Sequence, residues 1–486
     1  METVLNKHIV ARPLVVDLDG TLVKTDILFE CASNLLIHNP LRFFGILACL
    51  AKGRNHLKTQ LAEATSIDVA RLPYNSGLVS YLKQQKESGR KIVLATASPR
   101  VIADAISKHL GLFDKVLASE GDVNLKSEAK QARLVELYGE QGYDYIGNSR
   151  DDLPVWKSAC KAYVVSSSAG LIKKVKAMGK LNETMPTERR SLPAALFKAL
   201  RPHQWVKNLL LFMPALAAHQ FGSIDNMIHL IIAFGVFCLA ASSVYLLNDL
   251  VDVADDRYHH RKKRRPFAAG DLSLLLGWLL WPVMMALACT VALVILPEFF
   301  FIVLIVYFIL TIAYSFRLKQ LAILDVITLA VLYTLRIIAG AVAIYTPLSL
   351  WMLAFSMFLF LSLAFIKRFS ELKLAREAGR ETQIKGRGYI HKDLEIISSM
   401  GVGSGYLSVL VLALYIQDYR TVELYPSPHF ILLACPLLLY WISRAWLLAE
   451  RGQMHDDPII FAIKDKVSWA VAACFIGAFC LAMIHR

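Results

Sequence analysis

From about residue 206 onward the chain is a succession of apolar runs, each roughly 16–24 residues long and parted by short polar stretches. An α-helix needs ~20 apolar residues to cross a hydrocarbon core ~30 Å thick. A chain in lipid must satisfy its own backbone, so runs of this length predict helices rather than an ordinary soluble fold. Nine are read, at roughly 206–221, 228–247, 273–296, 299–315, 321–344, 349–366, 396–416, 429–449 and 467–485. They account for the 56% hydrophobic composition and the mean hydropathy of +0.47. The first ~190 of the 486 residues read as soluble protein.

The formal charge is +14. No nucleic-acid recognition motif accompanies it, so nucleic acid is not an expected partner. Lysine and arginine gather in alternate loops between the apolar runs, while the opposite loops carry only Arg420. That asymmetry predicts a multi-pass protein of a bacterial-type cytoplasmic membrane with its N-terminus and charged loops inside. The chain runs from METVLNKHIVARP straight into a strand without a secretory leader, which predicts a cytoplasmic N-terminal domain. The eight cysteines are scattered without CxxC spacing and read as reduced, buried thiols.

Leu14-Val15-Val16 is a continuous apolar run ending in DLDGT, Asp17 to Thr21. KIVLATAS repeats the design, with Thr96 and Ser98 behind its apolar stretch, and YDYIGNSRDD does so again, with Asp151 and Asp152. Helical patterns lie between. Alternating strand and helix predict a doubly wound α/β domain, and ligands in such sheets bind beyond the carboxyl ends of the strands. Asp17 and Asp19, two apart at a strand end, can divide labour. One attacks phosphorus or binds Mg²⁺, and the other handles the leaving-group proton. Thr96 and Lys130 can hold phosphate oxygens, and Asp152 can add a hard oxygen ligand.

The order DxDGT, apolar run with Thr, Lys, GNSxxD over roughly residues 11–170 resembles the haloacid dehalogenase (HAD) phosphatase superfamily. The resemblance implies Asp17 as nucleophile, Asp19 as acid/base, Thr96 and Lys130 as phosphate anchors and Asp152 as a metal ligand, with Asp17 and Asp19 beside the Mg²⁺. It also implies a small helical cap over about residues 27–80. One position departs: Asn148 stands where the family usually has an acid. Asparagine still offers Mg²⁺ a carbonyl oxygen, and Asp151 can compensate. Lys126 competes with Lys130 for the lysine role.

The stretch NDLVDVADDRYHHRKKRRPFAAG, Asn248 to Gly270, sets four aspartates and then six lysines and arginines at the end of an apolar run. On a helix Asn248, Asp249, Asp252 and Asp256 share one face. Carboxylates crowded at membrane depth require a cation, and Mg²⁺ commonly bridges protein acids to substrate phosphates. The basic run suits a multiply phosphorylated substrate, anionic head groups or a solvated loop. Asp325 and Arg336, within or near spans, suit an ion pair or a substrate contact.

This motif with its spans resembles the UbiA family of intramembrane prenyltransferases. RPHQWVKN, YSFRLKQLAILDV, LRIIAGAVA, KRFSEL and HDDPIIFAIKD, in order over roughly 195–486, resemble its decaprenyl-phosphate phosphoribosyltransferase branch. The second acidic motif of aromatic prenyltransferases is replaced by KRFSEL, with Lys367, Arg368 and Glu371. The resemblance implies transfer of phosphoribose from phosphoribosyl pyrophosphate (PRPP) to a polyprenyl phosphate. Asn248, Asp249, Asp252 and Asp256 would hold Mg²⁺, with Asp249 and Asp252 central to catalysis. Lys207, Lys263, Arg265, Tyr314, Lys319, Lys367 and Arg368 would hold phosphates.

The expected architecture is thus a HAD-like domain over 1–172, a basic amphipathic linker over 173–204 and an all-α transmembrane domain of about nine helices over 205–486. Its N-terminal domain would remove the sugar 5-phosphate. The competing readings are an aromatic-acceptor prenyltransferase with a non-catalytic HAD scaffold, and a transporter, which the absence of an evident internal repeat disfavours.

Overall fold

The computed structural model describes residues 12–48, 54–120, 124–185, 189–259, 261–377, 388–454 and 457–484. Its contacts divide the chain into two compact units. One is Met1–Leu200 together with Tyr245–Trp281; the other is Arg201–Val244 with Pro282–Arg486. The aspartate-rich stretch therefore belongs with the N-terminal residues, not with the rest of the apolar chain.

The first unit alternates strand and helix in the order β1 Leu14–Val16, α1 Ile27–His38, α2 Pro40–Leu47, α3 Arg54–Glu63, α4 Ser76–Glu87, β2 Ile92–Pro99, α5 Arg100–Leu110, β3 Lys115–Ser119 and α6 Glu128–Tyr138. It continues through β4 Asp144–Gly147, α7 Leu153–Ser158, β5 Ala162–Val165, α8 Ala169–Ala177, β6 Leu181–Met185 and α9 Leu192–Leu200. The six strands form one parallel sheet in the order β3-β2-β1-β4-β5-β6. The period of two decides which face each residue buries. Leu14, Val16, Ile92, Leu94, Ile146, Tyr163 and Val165 enter one core. Val15, Val93, Ala95, Tyr145, Ala162 and Val164 enter the other. Both faces are covered, so the strands read as unbroken apolar runs. Each fully buried Val or Leu contributes about 1.5–3 kcal/mol.

Strand order reverses between β1 and β4, which puts Asp17 and the loop after Gly147 on either side of the crevice where such folds bind ligands. Lys173 to Met185, expected as linker, instead complete the sheet: α8 buries Leu171 and Val175, and β6 pairs with β5. Their lysines and the exposed Asn182, Glu183 and Thr184 disguised an edge strand as a polar connection.

The second unit is helical, and the structure's apolar helices make the chain a multi-pass membrane protein. Along the chain after α10 Met213–Ala217 come α11 Ile224–Val251, which passes into the first unit at Tyr245, α12 Val253–Tyr258, within the first unit, and α13 Leu274–Ile295, which returns to the second unit at Pro282. Then follow α14 Glu298–Phe316, α15 Leu324–Ala343, α16 Leu350–Glu377, α17 Leu394–Tyr415, α18 Tyr419–Leu424, α19 Ala434–Glu450, α20 Pro458–Lys464 and α21 Lys466–Ala482. Seven helical stretches among the described residues are long and apolar enough to cross a membrane. The run expected at 467–485 forms α21, of 17 residues.

The run expected at 206–221 is not one α-helix. Pro202–Phe212 is a 3₁₀ helix of 11 residues, followed by the five residues of α10. Pro202 and Pro214 sit in the first turns of these two pieces, and Arg201 and His219 bound them with φ of 52° each. At ~2.0 Å per 3₁₀ residue and ~1.5 Å per α residue the pair reaches about 30 Å. Neither piece is by itself among the helices long and apolar enough to cross a membrane.

Among the spans α15 is the most enclosed, with 72% of its apolar window buried, against 22% for α13 and α14. Its Gly340 meets the 3₁₀ segment so closely that a Cβ there would lie 1.9 Å from the Leu211 carbonyl oxygen. Small residues permit such approach where lipid offers no hydrophobic drive. Gly340→Val is expected to destabilise the second unit by at least about 1–3 kcal/mol, seen as a lower unfolding temperature and aggregation on gel filtration in detergent.

Candidate functional site

In the first unit the strand ends bring Asp17, Asp19, Thr96, Lys130 and Asp152 together. The Lys130 ammonium, almost fully buried, donates to Asp17 Oδ1 at 2.6 Å and to the Tyr145 hydroxyl at 3.1 Å. Tyr145 in turn donates to Asp152 Oδ1 at 2.7 Å. Asp152 Oδ2 accepts from the Asn148 and Ser149 amides, both at 3.0 Å. Thr21 Oγ1 donates to Asp17 Oδ2 at 3.1 Å. Asp19 is turned differently: its Oδ1 accepts the Ile27 amide at 2.8 Å, and its Oδ2 the Ser98 hydroxyl at 2.7 Å and that of Thr96 at 3.4 Å.

Burial pushes the Asp17 carboxyl from 3.8 up to about 7, against the pull of Lys130 and with the repulsion of Asp152 and Asp19. Burial lowers the affinity of Lys130 for its proton, but Asp17 and Asp152 outweigh it and hold the ammonium charged. Three carboxylates and one cation thus share the crevice, an arrangement suited to a dianionic phosphate monoester only with added positive charge.

The lysine at Asp17 is Lys130. Lys126 is exposed and pairs with the equally exposed Asp151 at 3.0 Å. Asn148 lies over the DLDG turn: a Cβ on Gly20, whose φ is +75°, would meet its Nδ2 at 2.2 Å. Tyr145 was missed in the sequence. Its signal is a tyrosine inside an otherwise apolar strand, whose hydroxyl must find a partner when buried.

The aspartate-rich stretch bends at Asp252, the residue between α11 and α12. The Asp252 amide still donates to the Asn248 carbonyl at 2.9 Å, and that of Asp256 to the Asp252 carbonyl at 2.8 Å. The four-residue spacing thus keeps one face. Arg265 Nη1 lies 2.6 Å from Asp256 Oδ2 and 3.1 Å from Asp249 Oδ1. Burial raises the Asp256 carboxyl to about 6, with Arg265 opposing. Arg265, expected to hold phosphate, here joins two of the expected metal ligands. Lys263 is exposed in the turn Lys262–Arg264.

Oxygens that converge on one cationic nitrogen fit a hard divalent cation. Among the described residues no group of three His, Cys, Asp or Glu is gathered tightly enough to hold a metal. Mg²⁺ typically takes one or two carboxylates and fills its remaining positions with water and substrate phosphate, so the donor set in each cluster is of the right kind.

In the second unit Lys207 and Lys367 share Asp457 Oδ2, at 2.8 and 3.2 Å. Burial opposes ionisation of Asp457, but Lys367 and Lys207 hold its carboxyl well below the usual range. His455 and Asp456 lie outside the described residues. Arg368, buried, is held by Asp325, by Glu371 and by the Tyr314 hydroxyl at 2.7 Å. Tyr389 also donates to Asp325. Arg368, Tyr314 and Asp325, read as substrate or pairing groups, therefore form one closed network. Arg336 is held by neutral acceptors: Asn208 Oδ1 at 2.9 Å, the Tyr307 hydroxyl at 3.1 Å and the Leu332 carbonyl. Lys319 sits half-buried in the turn Leu318–Gln320.

A family model described as the UbiA prenyltransferase family matches residues 208–468, and one described as haloacid dehalogenase-like hydrolase matches residues 14–157. The uncharacterized protein y4nM of Sinorhizobium fredii is 37% identical over 472 residues, 97% of this chain and 91% of that protein. The nodulation protein NoeC of Azorhizobium caulinodans is 39% identical over 283 residues, covering 58% of this chain and 89% of its own. The decaprenyl-phosphate phosphoribosyltransferase of Mycobacterium tuberculosis is 39% identical over 294 residues, covering 59% of this chain and 93% of its own.

Proposed function

The chain belongs to the UbiA prenyltransferase family and carries an N-terminal haloacid dehalogenase-like domain, and from that premise we propose that it transfers phosphoribose from PRPP to a polyprenyl phosphate at the inner membrane, with its charged sites cytoplasmic. The likeness to the decaprenyl-phosphate phosphoribosyltransferase supports this class of substrate. The observation that carries it is the pair Lys207 and Lys367, both within 3.2 Å of one carboxylate oxygen. Two ammonium groups held together suit an additional phosphate, which an aromatic acceptor lacks.

In the reaction, a lipid phosphate oxygen attacks the anomeric carbon of the ribose. The carbon–oxygen bond to pyrophosphate breaks, and pyrophosphate leaves with the bonding pair. Asn248, Asp249, Asp252 and Asp256 would hold Mg²⁺, which supplies charge stabilisation for that leaving group. Asp249 and Asp256, whose oxygens converge on Arg265, would offer them to it. With the cation on these acids, Arg265 would be left to hold a substrate phosphate. Lys207 and Lys367 bind the other phosphate, and Lys263 and Lys319 add positive charge at the polar loops.

The N-terminal domain would then act on the sugar 5-phosphate. Asp17 attacks phosphorus, the bond from phosphorus to the ribose oxygen breaks, Asp19 protonates that oxygen, and water hydrolyses the resulting acyl phosphate to restore Asp17 and release phosphate. Thr96 and Lys130 steady the phosphoryl oxygens, and Mg²⁺ at Asp17 and Asp152 would offset their charge.

The test uses purified protein in detergent with Mg²⁺, radiolabelled PRPP and a short polyprenyl phosphate. Label passing into the organic phase supports the reading. Consumption of a prenyl diphosphate with an aromatic acceptor, and no transfer of label, overturns it.

The raised value of Asp17 gives a second expectation. Without a cation, burial of Asp17 favours the protonated fold. That contribution is complete below the ordinary value of 3.8 and is lost as pH rises through about 7. Mg²⁺ must displace the proton, so its affinity for this site rises with pH and levels above about 7. Mg²⁺ is therefore expected to raise the unfolding temperature more at pH 8 than at pH 5. Asp17→Asn is expected to flatten that difference.

A further inference from the structure

Helix α1 buries two faces of different chemistry. Ile27, Cys31 and Leu35, four apart, enter the sheet core. Glu30 and Ser33 are buried as well, at 7% and 6% exposure, although both are polar. Their partners come from the Tyr245–Trp281 segment of the same unit. Arg257 grips Glu30 with two nitrogens, Nη2 to Oε1 at 2.6 Å and Nη1 to Oε2 at 3.2 Å. Its Nε donates to the Ala268 carbonyl at 3.2 Å. Thr25 Oγ1 adds a further bond to Glu30 Oε1 at 2.6 Å, and Trp278 Nε1 donates to Ser33 Oγ at 3.0 Å.

Other contacts repeat the attachment. A Cβ on Gly270, whose φ is +75°, would lie 2.7 Å from Lys24 Cβ. The Arg71 guanidinium stacks 3.5 Å above the Tyr258 ring. Both side chains of the Glu30–Arg257 pair are 8% exposed. A desolvated, bidentate pair fixes geometry strongly because neither charge tolerates losing the other.

We infer that Glu30 and Arg257 are positioning residues for the aspartate-rich motif, and that the HAD-like domain serves as its scaffold independently of any phosphatase chemistry. Arg257 follows Asp256 directly on α12, so the grip of Glu30 sets the rotation of the helix that presents Asp256. The same helix α1 begins at Ile27, whose amide is held by Asp19 Oδ1. The two candidate centres are therefore both tied to the first turn of one short helix, at positions three residues apart. This rests on the reading that Asn248, Asp249, Asp252 and Asp256 bind the cation of the transfer reaction.

The test uses the full chain in detergent with Arg257→Gln, Glu30→Gln and, as a milder change that keeps the ion pair, Trp278→Phe. Backbone hydrogen exchange over residues 253–258 is followed together with the Mg²⁺ and PRPP dependence of label transfer. The expected result for Arg257→Gln and Glu30→Gln is exchange at least tenfold faster in that peptide. The half-saturating Mg²⁺ concentration rises about tenfold, and turnover at saturation changes by less than threefold. Trp278→Phe shifts both in the same direction by a smaller factor. Hydrolysis of a generic phosphoester by Arg257→Gln stays within twofold of wild type. Unchanged exchange over 253–258 overturns the inference, as does a loss of turnover without a change in Mg²⁺ dependence. Absence of transfer by wild type overturns the functional reading instead, and the exchange result still decides the docking.

Discussion

Asp17→Asn is expected to lower phosphate release from the phosphoribosyl lipid by at least about 10³-fold, the scale of removing a covalent nucleophile, while label transfer from PRPP continues at the wild-type rate. The substitution is close to isosteric. It removes the carboxylate that Lys130 holds at 2.6 Å but leaves Lys130 an amide oxygen to bind, while the Thr21 hydroxyl can turn to accept from the amide NH2. It also removes the most strongly perturbed acid of the crevice, so the domain should unfold no earlier at pH 8 than wild type. Thin-layer mobility of the labelled lipid reads the result: the variant accumulates the 5-phosphorylated product, and wild type converts it. Equal phosphate release from both proteins sinks the phosphatase role and leaves the scaffold role standing.

Asp249→Ala is expected to lower label transfer by about 10²–10³-fold, roughly 2.7–4 kcal/mol of transition-state stabilisation. Asp249 is 1% exposed and Arg265 contacts both it and Asp256. Truncation leaves Arg265 bound to Asp256 alone and removes an oxygen from the convergent set. The loss should appear in turnover at saturating PRPP and be only partly recovered by raising Mg²⁺. Retention of transfer above a tenth of the wild-type rate places the cation elsewhere. Phosphoester hydrolysis at the Asp17 crevice serves as the folding control.

Both substitutions fall on residues that the sequence already singled out, and the reason is physical. A strand buried on both faces announces itself as an unbroken apolar run, and the polar residues that end it mark the edge where ligands bind. Asp17, Thr96 and Asp152 were legible for that reason. So was the shared face of Asn248, Asp252 and Asp256, because a period of four survives the bend at Asp252. Strand β6 was not legible: Leu181-Asn182-Glu183-Thr184-Met185 lies at the sheet edge, half exposed, and carries no apolar pattern. The 3₁₀ stretch was hidden for a different reason. Composition reports how apolar a segment is but not how far each residue rises. Nor could spacing show that Arg368 answers Asp325 across 43 positions, or that Arg257 answers Glu30 across 227. Long-range ion pairs have no local signature, so basic residues near apolar runs look alike whether they meet substrate or protein.

The 3₁₀ stretch from Pro202 to Phe212 bears on the membrane itself. An α-helix longer than the bilayer can tilt, and one that is short can thin the lipid around it. A segment already drawn out to ~2.0 Å per residue has little slack of either kind. Its side chains stack in register every three residues, with Asn208 tied to Arg336 and Trp205 to Ser242. The stretch is therefore pinned to α11 through Trp205 and to α15 through Asn208, one turn apart, and it cannot tilt or turn about its own axis without breaking both bonds.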